Sequence, residues 1–110
     1  MEEFVKGDIV VIPFPFSNLS SLKRRPALVL VSLPGPDLVL CQITSKLRND
    51  DYSIHLNRND FKVGVLQVES CIRVDRIFTI EKSMVVYKVG SLLPAKMSIV
   101  LKQINSMFNS

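Results

Sequence analysis

Residues 23–45 read KRRPALVLVSLPGPDLVLCQITS and contain strand and turn signals side by side. Two runs of apolar, often β-branched residues stand on either side of Pro34-Gly35-Pro36, a combination that ends strands and makes a turn. The pattern predicts two antiparallel strands, over 27–33 and 38–44, joined as a hairpin. The first run is almost wholly apolar, which is typical of a strand buried on both faces.

Further strands are predicted on both sides of this hairpin. A β-branched run at 9–12 predicts a strand that leaves through an extended Pro13-Phe14-Pro15-Phe16 segment into a polar loop at 18–21. Downstream, the alternation at 53–56 predicts a short strand, and residues 71–80 predict a long one with one packed and one charged face.

The end of the chain predicts a helix and completes the fold class. The alternation of the long strand slips near Arg76, which indicates a kink or bulge. After Pro94, apolar residues recur at helical spacing, at Met97, Val100, Leu101, Ile104 and Phe108. Short antiparallel strands closed by one amphipathic helix predict an α+β, mainly β protein, a small antiparallel barrel that occupies residues 1–110 as a single domain.

The composition is that of a globular protein with a mild basic excess. Of the 110 residues, 47% are hydrophobic and 22% are charged, which excludes the profile of a disordered chain. A net charge of +4 favours an anionic partner, either nucleic acid or an acidic protein. Glu2 and Glu3 stand where a secretory signal is basic, and no apolar run approaches the ~20 residues of a membrane span. We therefore expect a cytoplasmic protein without membrane contact.

Metal and cofactor chemistry has little support in the sequence. Cys41 and Cys71 are isolated and lack CxxC spacing, so reduced core thiols are expected, with a disulfide as the alternative. The one histidine, His55, is predicted to be a surface or half-buried side chain. Phosphate-binding glycine patterns and a nucleophile elbow are absent from the sequence, so we expect no cofactor, no metal and no serine hydrolase.

Polar residues cluster where the two hairpin strands begin and end. Pro26 pushes Arg25 into extended geometry, and the hairpin register places Arg25 opposite Thr44 or Ser45. A guanidinium beside a hydroxyl suits phosphoryl transfer from RNA, because arginine binds phosphate oxygens bidentately and stabilises the charge that develops in the transition state. The alternative is that Arg24 and Arg25 are solvated loop charges and that Thr44 is an ordinary strand threonine.

Several segments occur together in a fixed order, namely KGDIV at 6–10, PFPF at 13–16, KRRPALV at 23–29, QITS at 42–45, and residues 70–82. In this order and spacing the chain resembles the MazF/PemK family of toxin endoribonucleases. The resemblance implies an SH3-like barrel shared with the CcdB toxins, a homodimer, and cleavage of single-stranded RNA without a metal. It also implies neutralisation by a small antitoxin whose disordered tail covers the RNA groove.

The resemblance assigns roles to individual residues. Arg25 falls on the arginine of the family's R-P step and would act as general acid or base and as phosphate stabiliser. Thr44 falls on the threonine of the I-T step and would hydrogen-bond the scissile phosphate while the substrate's 2′-hydroxyl attacks, giving a 2′,3′-cyclic phosphate and a 5′-hydroxyl. Because arginine stays protonated at ordinary pH, its electrostatic role is favoured over that of a base. The further RNA-contacting or supporting residues implied are Lys23, Arg24, Ser45, Ser70, Arg73 and Asp75.

The chain departs from the family at two positions. Many relatives read I-R-T-(I/V)-D-K-x-R where residues 77–84 here read IFTIEKSM, so Phe78 and Met84 stand in place of arginines. The departures imply a different cleavage sequence, weak cleavage or a more apolar dimer interface. Phe78 is assigned either to stacking on an RNA base or to packing in the barrel or at the dimer seam.

Three functions therefore stay open at the level of sequence. The main hypothesis is a sequence-selective endoribonuclease toxin. The alternatives are a non-enzymatic, CcdB-like protein that binds gyrase and a catalytically degenerate module that binds RNA or an antitoxin. A homodimer is expected on physical grounds as well, because the terminal helix and residues 28–33 carry more apolar surface than a core of this size is expected to bury.

Overall fold

The computed structural model describes residues 3–14 and 23–110. Within these residues the chain forms β1 (Asp8–Pro13), β2 (Arg24–Ser32), β3 (Asp37–Thr44), β4 (Ser53–Leu56), β5 (Phe61–Gly64), β6 (Ser70–Glu81), β7 (Tyr87–Leu92) and α1 (Pro94–Phe108). Single 3₁₀ turns, at Arg58–Asp60 and Lys82–Met84, precede β5 and β7. The extended segment predicted at 15–16 and the polar loop predicted at 18–21 lie outside the described residues.

The described strands form one antiparallel sheet in the order β4-β6-β3-β2-β1-β7-β5. The sheet curls into a half-barrel, and α1 packs on one of its faces. The predicted α+β, mainly β fold, a small antiparallel barrel with a C-terminal amphipathic helix, is confirmed.

The hairpin of β2 and β3 has the predicted register. Ala27 pairs with Gln42, and the pairing continues to the turn through one irregularity between Val29 and Val31. When this register is extended by two residues beyond the Ala27–Gln42 pair, away from the turn, Arg25 falls opposite Thr44. The start of β2 and the end of β3 therefore lie at the same edge of the sheet.

The turn of this hairpin is held from outside by a lysine. The Lys82 ammonium donates hydrogen bonds to the carbonyl oxygens of Leu33 at 3.0 Å and Gly35 at 2.8 Å. Gly35 has a φ of 96°, in the left-handed region that glycine adopts without steric strain. Lys82 therefore has a structural role in fixing the turn between β2 and β3.

The sheet buries apolar residues on both faces. The helix-side cluster comprises Ile9, Leu28, Leu30, Cys41, Ile43, Leu56, Ile72, Val74, Leu92, Met97 and Val100. The opposite cluster comprises Phe4, Val10, Ile12, Phe14, Ala27, Val29, Leu38, Leu40 and Phe78. Because β2 contributes to both clusters in alternation, it is buried on both faces as predicted.

Helix α1 begins at Pro94, as predicted, and buries Met97 and Val100 against the sheet. The predicted apolar face does not extend to the last turn, because Phe108 is 72% exposed. Ile99 is exposed as well, on the side of the helix that faces away from the sheet. Part of the apolar surface of α1 is therefore uncovered within the single chain.

Strand β6 contains the predicted bulge. Cys41 of β3 pairs with Ile77, whereas the next residue, Gln42, pairs with Arg73. The extra residues of β6 are accommodated next to Arg76, and such an insertion bends a strand and increases its twist. This bend contributes to the curl of the sheet.

Strands β5 and β7 are not predicted by the sequence pattern, and they approach each other closely at two glycines. Gly64 of β5 pairs with Gly90 of β7. A Cβ atom on Gly90 would lie 2.1 Å from the carbonyl oxygen of Val63, and one on Gly64 would lie 2.1 Å from the carbonyl oxygen of Val89. Only glycine fits at either position without separating the strands.

Candidate functional site

An open groove of about 570 Å³ lies at the edge where β2 begins and β3 ends. Its described lining residues are Val11, Arg24, Arg25, Pro26, Ile43, Ser45, Leu66, Gln67, Val68, Ser70, Tyr87 and Val89. Four of the residues that sequence reasoning assigns to the site are in this set, namely Arg24, Arg25, Ser45 and Ser70. The structure thus brings together residues from β2, β3 and β6 that are distant in sequence.

The floor of the groove is a row of side chains that crosses four strands. Tyr87 of β7 pairs with Val11 of β1, and Val11 pairs with Pro26 of β2. One further step of the β2–β3 register brings Ile43 next to Pro26. Directly paired residues project from the same face of a sheet, so these side chains form a continuous apolar surface.

A polar rim borders this floor. Residues two positions apart in a strand project from the same face. Arg24, Ser45 and Ser70 are two positions from Pro26, Ile43 and Ile72, which project from the helix-side face, so all three lie on the same face as the floor. Arg24 and Ser45 are exposed, whereas Ser70 is buried and its hydroxyl donates a 2.8 Å hydrogen bond to the carbonyl oxygen of Val68. Ser70 therefore fixes the 66–68 wall of the groove, while Arg24 and Ser45 are accessible to a ligand.

Extending the β2–β3 register by two residues beyond the Ala27–Gln42 pair places Arg25 and Thr44 opposite each other at this edge, on the other face of the sheet. The Arg25 guanidinium carbon is 5.7 Å from the centre of the Phe14 ring, a cation–π contact. The Thr44 hydroxyl oxygen accepts a 3.1 Å hydrogen bond from the backbone N–H of Lys46. Within the described residues no hydrogen bond joins Arg25 to Thr44. Because Arg25 also lines the groove, the two faces meet at this residue.

A third polar residue, which sequence reasoning does not assign to the site, shares this face. Gln42 lies directly opposite Ala27, so its side chain is diagonal to that of Arg25 and within reach of it. Arg25 Nε and Gln42 Oε1 are both buried, and among the described residues neither has a hydrogen-bond partner. Buried polar groups without partners are rare, and a catalytic role is one explanation for them, so this pair is consistent with a candidate site around Arg25.

Arg73 and Asp75 form a two-point ion pair with each other on β6. Arg73 Nε donates to Asp75 Oδ1 at 3.1 Å, and its terminal nitrogen donates to Asp75 Oδ2 at 2.8 Å. These hydrogen bonds from Arg73 hold the pKa of Asp75 below its usual range. Arg73 pairs with Gln42 across the strands, so this ion pair lies on the Arg25 side of the sheet and outside the groove. The Arg73 guanidinium therefore already donates two hydrogen bonds to Asp75.

Phe78 does not present its ring to the groove. It is only 9% exposed and belongs to the opposite cluster, where its ring meets the Phe14 ring edge to face at a centroid distance of 6.0 Å. A ring this buried cannot stack on an RNA base, so the packing alternative holds and Phe78 is removed from the RNA-contacting set. Met84, the other position at which many relatives have arginine, is exposed.

Lys23 lies just before β2 and is exposed at the same edge. Its backbone carbonyl accepts a 2.9 Å hydrogen bond from the N–H of Phe14, which ties the residue before β2 to the end of β1. Among the described residues the Lys23 ammonium has no hydrogen-bond or ion-pair partner. The position next to Arg24 suits the predicted contact with a phosphate backbone.

The remaining titratable side chains form no second site among the described residues. No group of three or more His, Cys, Asp and Glu side chains is close enough there to hold a metal ion. Cys41 and Cys71 are buried and unpaired, as predicted, and burial raises the pKa of the Cys41 thiol. His55 is exposed, with its Nδ1 atom 3.5 Å from a Glu69 oxygen. No helix of the described part of the chain is long and apolar enough to cross a membrane.

Comparisons with known proteins agree with this fold. The family model described as "PemK-like, MazF-like toxin of type II toxin-antitoxin system" matches residues 5–108. No match was found among the curated proteins. Among solved structures, an endoribonuclease in complex with its cognate antitoxin from a mycobacterial species superposes with a TM-score of 0.78 at 14% identity, over 97% of this chain and 96% of that chain.

Two further solved structures show the same fold. MazF from Deinococcus radiodurans has a TM-score of 0.74 at 19% identity, over 96% of each chain. The toxin MazF-mt6 from Mycobacterium tuberculosis has a TM-score of 0.74 at 18% identity, over 93% of this chain and 96% of that chain. With a family model that spans nearly all of the sequence, the chain belongs to the PemK-like, MazF-like toxins of type II toxin–antitoxin systems.

Proposed function

We propose that this chain is an endoribonuclease that cuts single-stranded RNA in the cytoplasm, with sequence preference, as the toxin of a toxin–antitoxin pair. In the reaction, the 2′-hydroxyl oxygen attacks the adjacent phosphorus and the bond from phosphorus to the 5′-oxygen breaks. The proton lost by the 2′-hydroxyl is balanced by the proton that the leaving oxygen gains. The products are a 2′,3′-cyclic phosphate and a 5′-hydroxyl, and the balance includes no cofactor.

The observation that carries this proposal is the position of Arg25, at the edge of an apolar groove and opposite Thr44. In phosphoryl transfer of this kind, negative charge grows on the phosphate oxygens. A guanidinium that is partly buried and held by the sheet stabilises that charge without having to reorganise. Because arginine remains protonated at ordinary pH, its contribution is electrostatic.

Thr44 is arranged to donate a hydrogen bond to the same phosphate. Its hydroxyl oxygen already accepts from the Lys46 N–H, so its own hydrogen is available to a phosphate oxygen. Strand pairing sets the separation of Arg25 and Thr44, because neighbouring strands lie about 5 Å apart. The two residues thus offer one charged and one neutral donor to a single phosphate.

Accessible basic and hydroxyl groups around the groove supply the binding energy for the RNA backbone. Lys23 and Arg24 are exposed next to Arg25, and Ser45 follows Thr44 at the rim. Phosphate contacts of this kind position the strand and make binding sensitive to salt. Arg73 and Asp75 act indirectly, since their ion pair fills the space beside Gln42 on the Arg25 face.

The test is to incubate the purified protein with a long single-stranded RNA in the presence of EDTA and to map the cut ends. Discrete cuts with 5′-hydroxyl ends are expected, at a sequence that the map reveals. Arg25→Ala should abolish them without unfolding the protein. Arg76→Ala is the matched control, because Arg76 is an exposed arginine of β6 that does not line the groove. Full activity of a folded Arg25→Ala protein would overturn the assignment.

Other outcomes of this experiment identify the alternative functions. RNA that is bound with a steep salt dependence but left intact indicates a degenerate binding module. RNA that is neither bound nor cut, together with a physical complex with gyrase, indicates a non-enzymatic toxin of the CcdB type. Arg25→Ala is compared with wild type only if wild type cuts RNA, because the variant can lose cleavage only where wild type has it.

We propose in addition that the protein is a homodimer and that a cognate antitoxin neutralises it. The antitoxin is supported by the solved relatives, which include a MazE–MazF complex from D. radiodurans. The dimer is supported by Ile99 and Phe108, which are exposed on α1. Of residues 28–33, Leu33 is exposed, whereas Leu28 to Leu30 are buried within the chain and give the dimer no support. Light scattering at micromolar concentration should give the mass of a dimer. Growth arrest on expression should be relieved by co-expression of the antitoxin.

A further inference from the structure

The most exposed aromatic side chain of the groove is one that neither the family motif nor the sequence pattern assigns to a function. Tyr87 is 53% exposed and forms one end of the apolar floor, paired with Val11. Its ring therefore combines two properties, access to solvent and a fixed strand position. Aromatic side chains with these properties serve as platforms for unpaired bases in proteins that bind single strands.

The surroundings of Tyr87 suit a base joined to a phosphate rather than a charged small molecule. Beyond Tyr87, the floor continues through the side chains of Val11, Pro26 and Ile43. The charged residues among the described lining residues are Arg24 and Arg25, and that set includes no carboxylate. An apolar groove with cations at one end is complementary to a nucleotide, whose base is largely apolar on its faces and whose phosphate is anionic.

We propose that Tyr87 is the stacking platform of a nucleobase subsite in this groove, for an unpaired base of the bound RNA strand. The proposal rests on the proposed function, since it places a base of the substrate in the groove beside Arg25. Tyr87 lies two strands away from β2, a distance of roughly 10 Å at the spacing of strands in a sheet. The subsite therefore receives the base of a nucleotide that neighbours the scissile phosphate.

The chain offers an unusually clean set of variants for a test. It contains two tyrosines and no tryptophan, so Tyr52 is the matched control for Tyr87. Tyr52 is 45% exposed, in the turn before β4, and does not line the groove. Tyr87→Phe keeps the ring and removes the hydroxyl, Tyr87→Ala removes the ring, and Tyr52→Ala removes the other exposed tyrosine. Circular dichroism and thermal unfolding establish that each variant is folded.

The first measurement is binding of an uncleavable 2′-deoxy oligonucleotide, which carries the mapped cleavage sequence where cuts are observed and is otherwise a mixed-sequence single strand of the same length. Tyr87→Ala should bind about 5- to 150-fold more weakly, the range found when single stacking side chains are removed. Tyr87→Phe should bind within about twofold of wild type, because the ring makes the stacking contact. Tyr52→Ala should bind like wild type. Wild-type affinity of a folded Tyr87→Ala protein overturns the subsite.

The second measurement follows the fluorescence emission of the Tyr87 ring. In Tyr52→Phe the sole tyrosine emitter is Tyr87, and stacking on a base should quench its emission to saturation as the oligonucleotide is added. In Tyr87→Phe the sole emitter is Tyr52, and its emission should not change. Quenching of Tyr52 alone, or of neither residue while the oligonucleotide is bound, overturns the subsite.

These outcomes separate the subsite from the proposed function. If the protein binds the oligonucleotide and Tyr87 is quenched but RNA is never cut, the catalytic proposal fails and the subsite stands. If RNA is cut normally and Tyr87→Ala binds and cuts like wild type, the subsite fails and the catalytic proposal stands. If wild type neither binds nor cuts, both fail, and the groove is assigned to a protein partner.

Discussion

Arg25 and Gln42 project from the same face of neighbouring strands, and each buries one polar side-chain atom that has no hydrogen-bond partner among the described residues. One atom, Nε, is a donor, and the other, Oε1, is an acceptor. A buried polar group without a partner destabilises a fold by about 1–3 kcal/mol. A cost of this kind beside the proposed catalytic arginine is the pattern expected where a site is arranged for function rather than for stability.

Replacing Gln42 should therefore separate stability from activity. Gln42→Leu keeps the approximate size of the side chain and removes the unpaired acceptor, so the free energy of unfolding should rise by about 1 kcal/mol. RNA cleavage by the same preparation should fall, because the polar environment of Arg25 has changed. Urea unfolding and initial cleavage rates measure the two effects. Gln103→Leu, on α1, is the contrasting variant, because the Gln103 amide donates a hydrogen bond to the Asp51 carbonyl oxygen and its loss should lower the free energy of unfolding. A lower free energy of unfolding for Gln42→Leu than for wild type would contradict the interpretation of Gln42 Oε1 as an unpaired acceptor.

Arg24 should carry a measurable part of the salt dependence of RNA binding. It is exposed at the rim of the groove, and no salt bridge to it occurs among the described residues. Arg24→Ala should reduce the slope of log affinity against log salt by about 1, the effect of losing one phosphate contact. Arg76→Ala removes the same charge outside the groove and should leave the slope nearly unchanged. Equal slopes for the two variants would show that net charge, and not the groove, sets the affinity.

The Arg73–Asp75 ion pair predicts a stability effect in acid. The pKa of Asp75 is lowered in the folded protein from an ordinary value of 3.8, so the carboxylate form is the one that the fold stabilises. Its contribution is fully present above that ordinary value and is lost as the pH falls through the lower folded value. The Asp75 side chain is 30% exposed, so the contribution is at most about 1 kcal/mol.

Urea unfolding of wild type and Asp75→Asn between pH 7 and pH 2 measures this effect. The difference in the free energy of unfolding should be constant above about pH 5 and should shrink toward acid. Arg73→Gln removes the other partner of the ion pair. The same pH-dependent part of the free energy of unfolding should be lost in this variant. A difference between wild type and Asp75→Asn that persists unchanged at pH 2 would mean that Asp75 acts through packing and not through its charge.

Gly90 should be intolerant of any side chain. A Cβ atom there would lie 2.1 Å from the Val63 carbonyl oxygen, so β5 and β7 would have to separate. Gly90→Ala should lower the free energy of unfolding by about 1–3 kcal/mol, as overpacking does. Gly35→Asn is the control, because a Cβ at Gly35 meets nothing within 4 Å and asparagine tolerates the left-handed conformation. Thermal unfolding of both variants tests the prediction, and equal midpoints would contradict it.

The parts of the fold that sequence reasoning predicts are those whose signals are local. Pro34-Gly35-Pro36 between two apolar runs predicts the β2–β3 hairpin, and its register then places Arg25 opposite Thr44 without further information. Helix α1 is equally local, because Pro94 and the apolar spacing stand next to each other in the chain. The bulge of β6 is visible as a slip in alternation.

The parts that are missed depend on contacts between distant segments. Strand β7 has a mixed pattern interrupted by Gly90, and its partner β1 lies at the other end of the chain. Tyr87 enters the groove only through that pairing, so no local signal marks it. For Phe78 the ambiguity is between exposure and burial, which depends on the position of Phe14 across the sheet. The sequence leaves stacking and packing open as alternatives for Phe78, and the fold buries its ring.

The place of β1 between β2 and β7 also determines the order in which the groove can be assembled during folding. The β2–β3 hairpin closes a short loop, whereas pairing β1 with β7 closes a long one, and loop closure becomes slower and entropically less favourable as loops lengthen. We therefore expect a partly folded chain to hold Arg25 opposite Thr44 before the row from Tyr87 to Val11 exists. Such a chain has the two proposed phosphate-binding side chains in register but lacks the apolar floor of the groove, so RNA binding should appear only after β1 and β7 have paired.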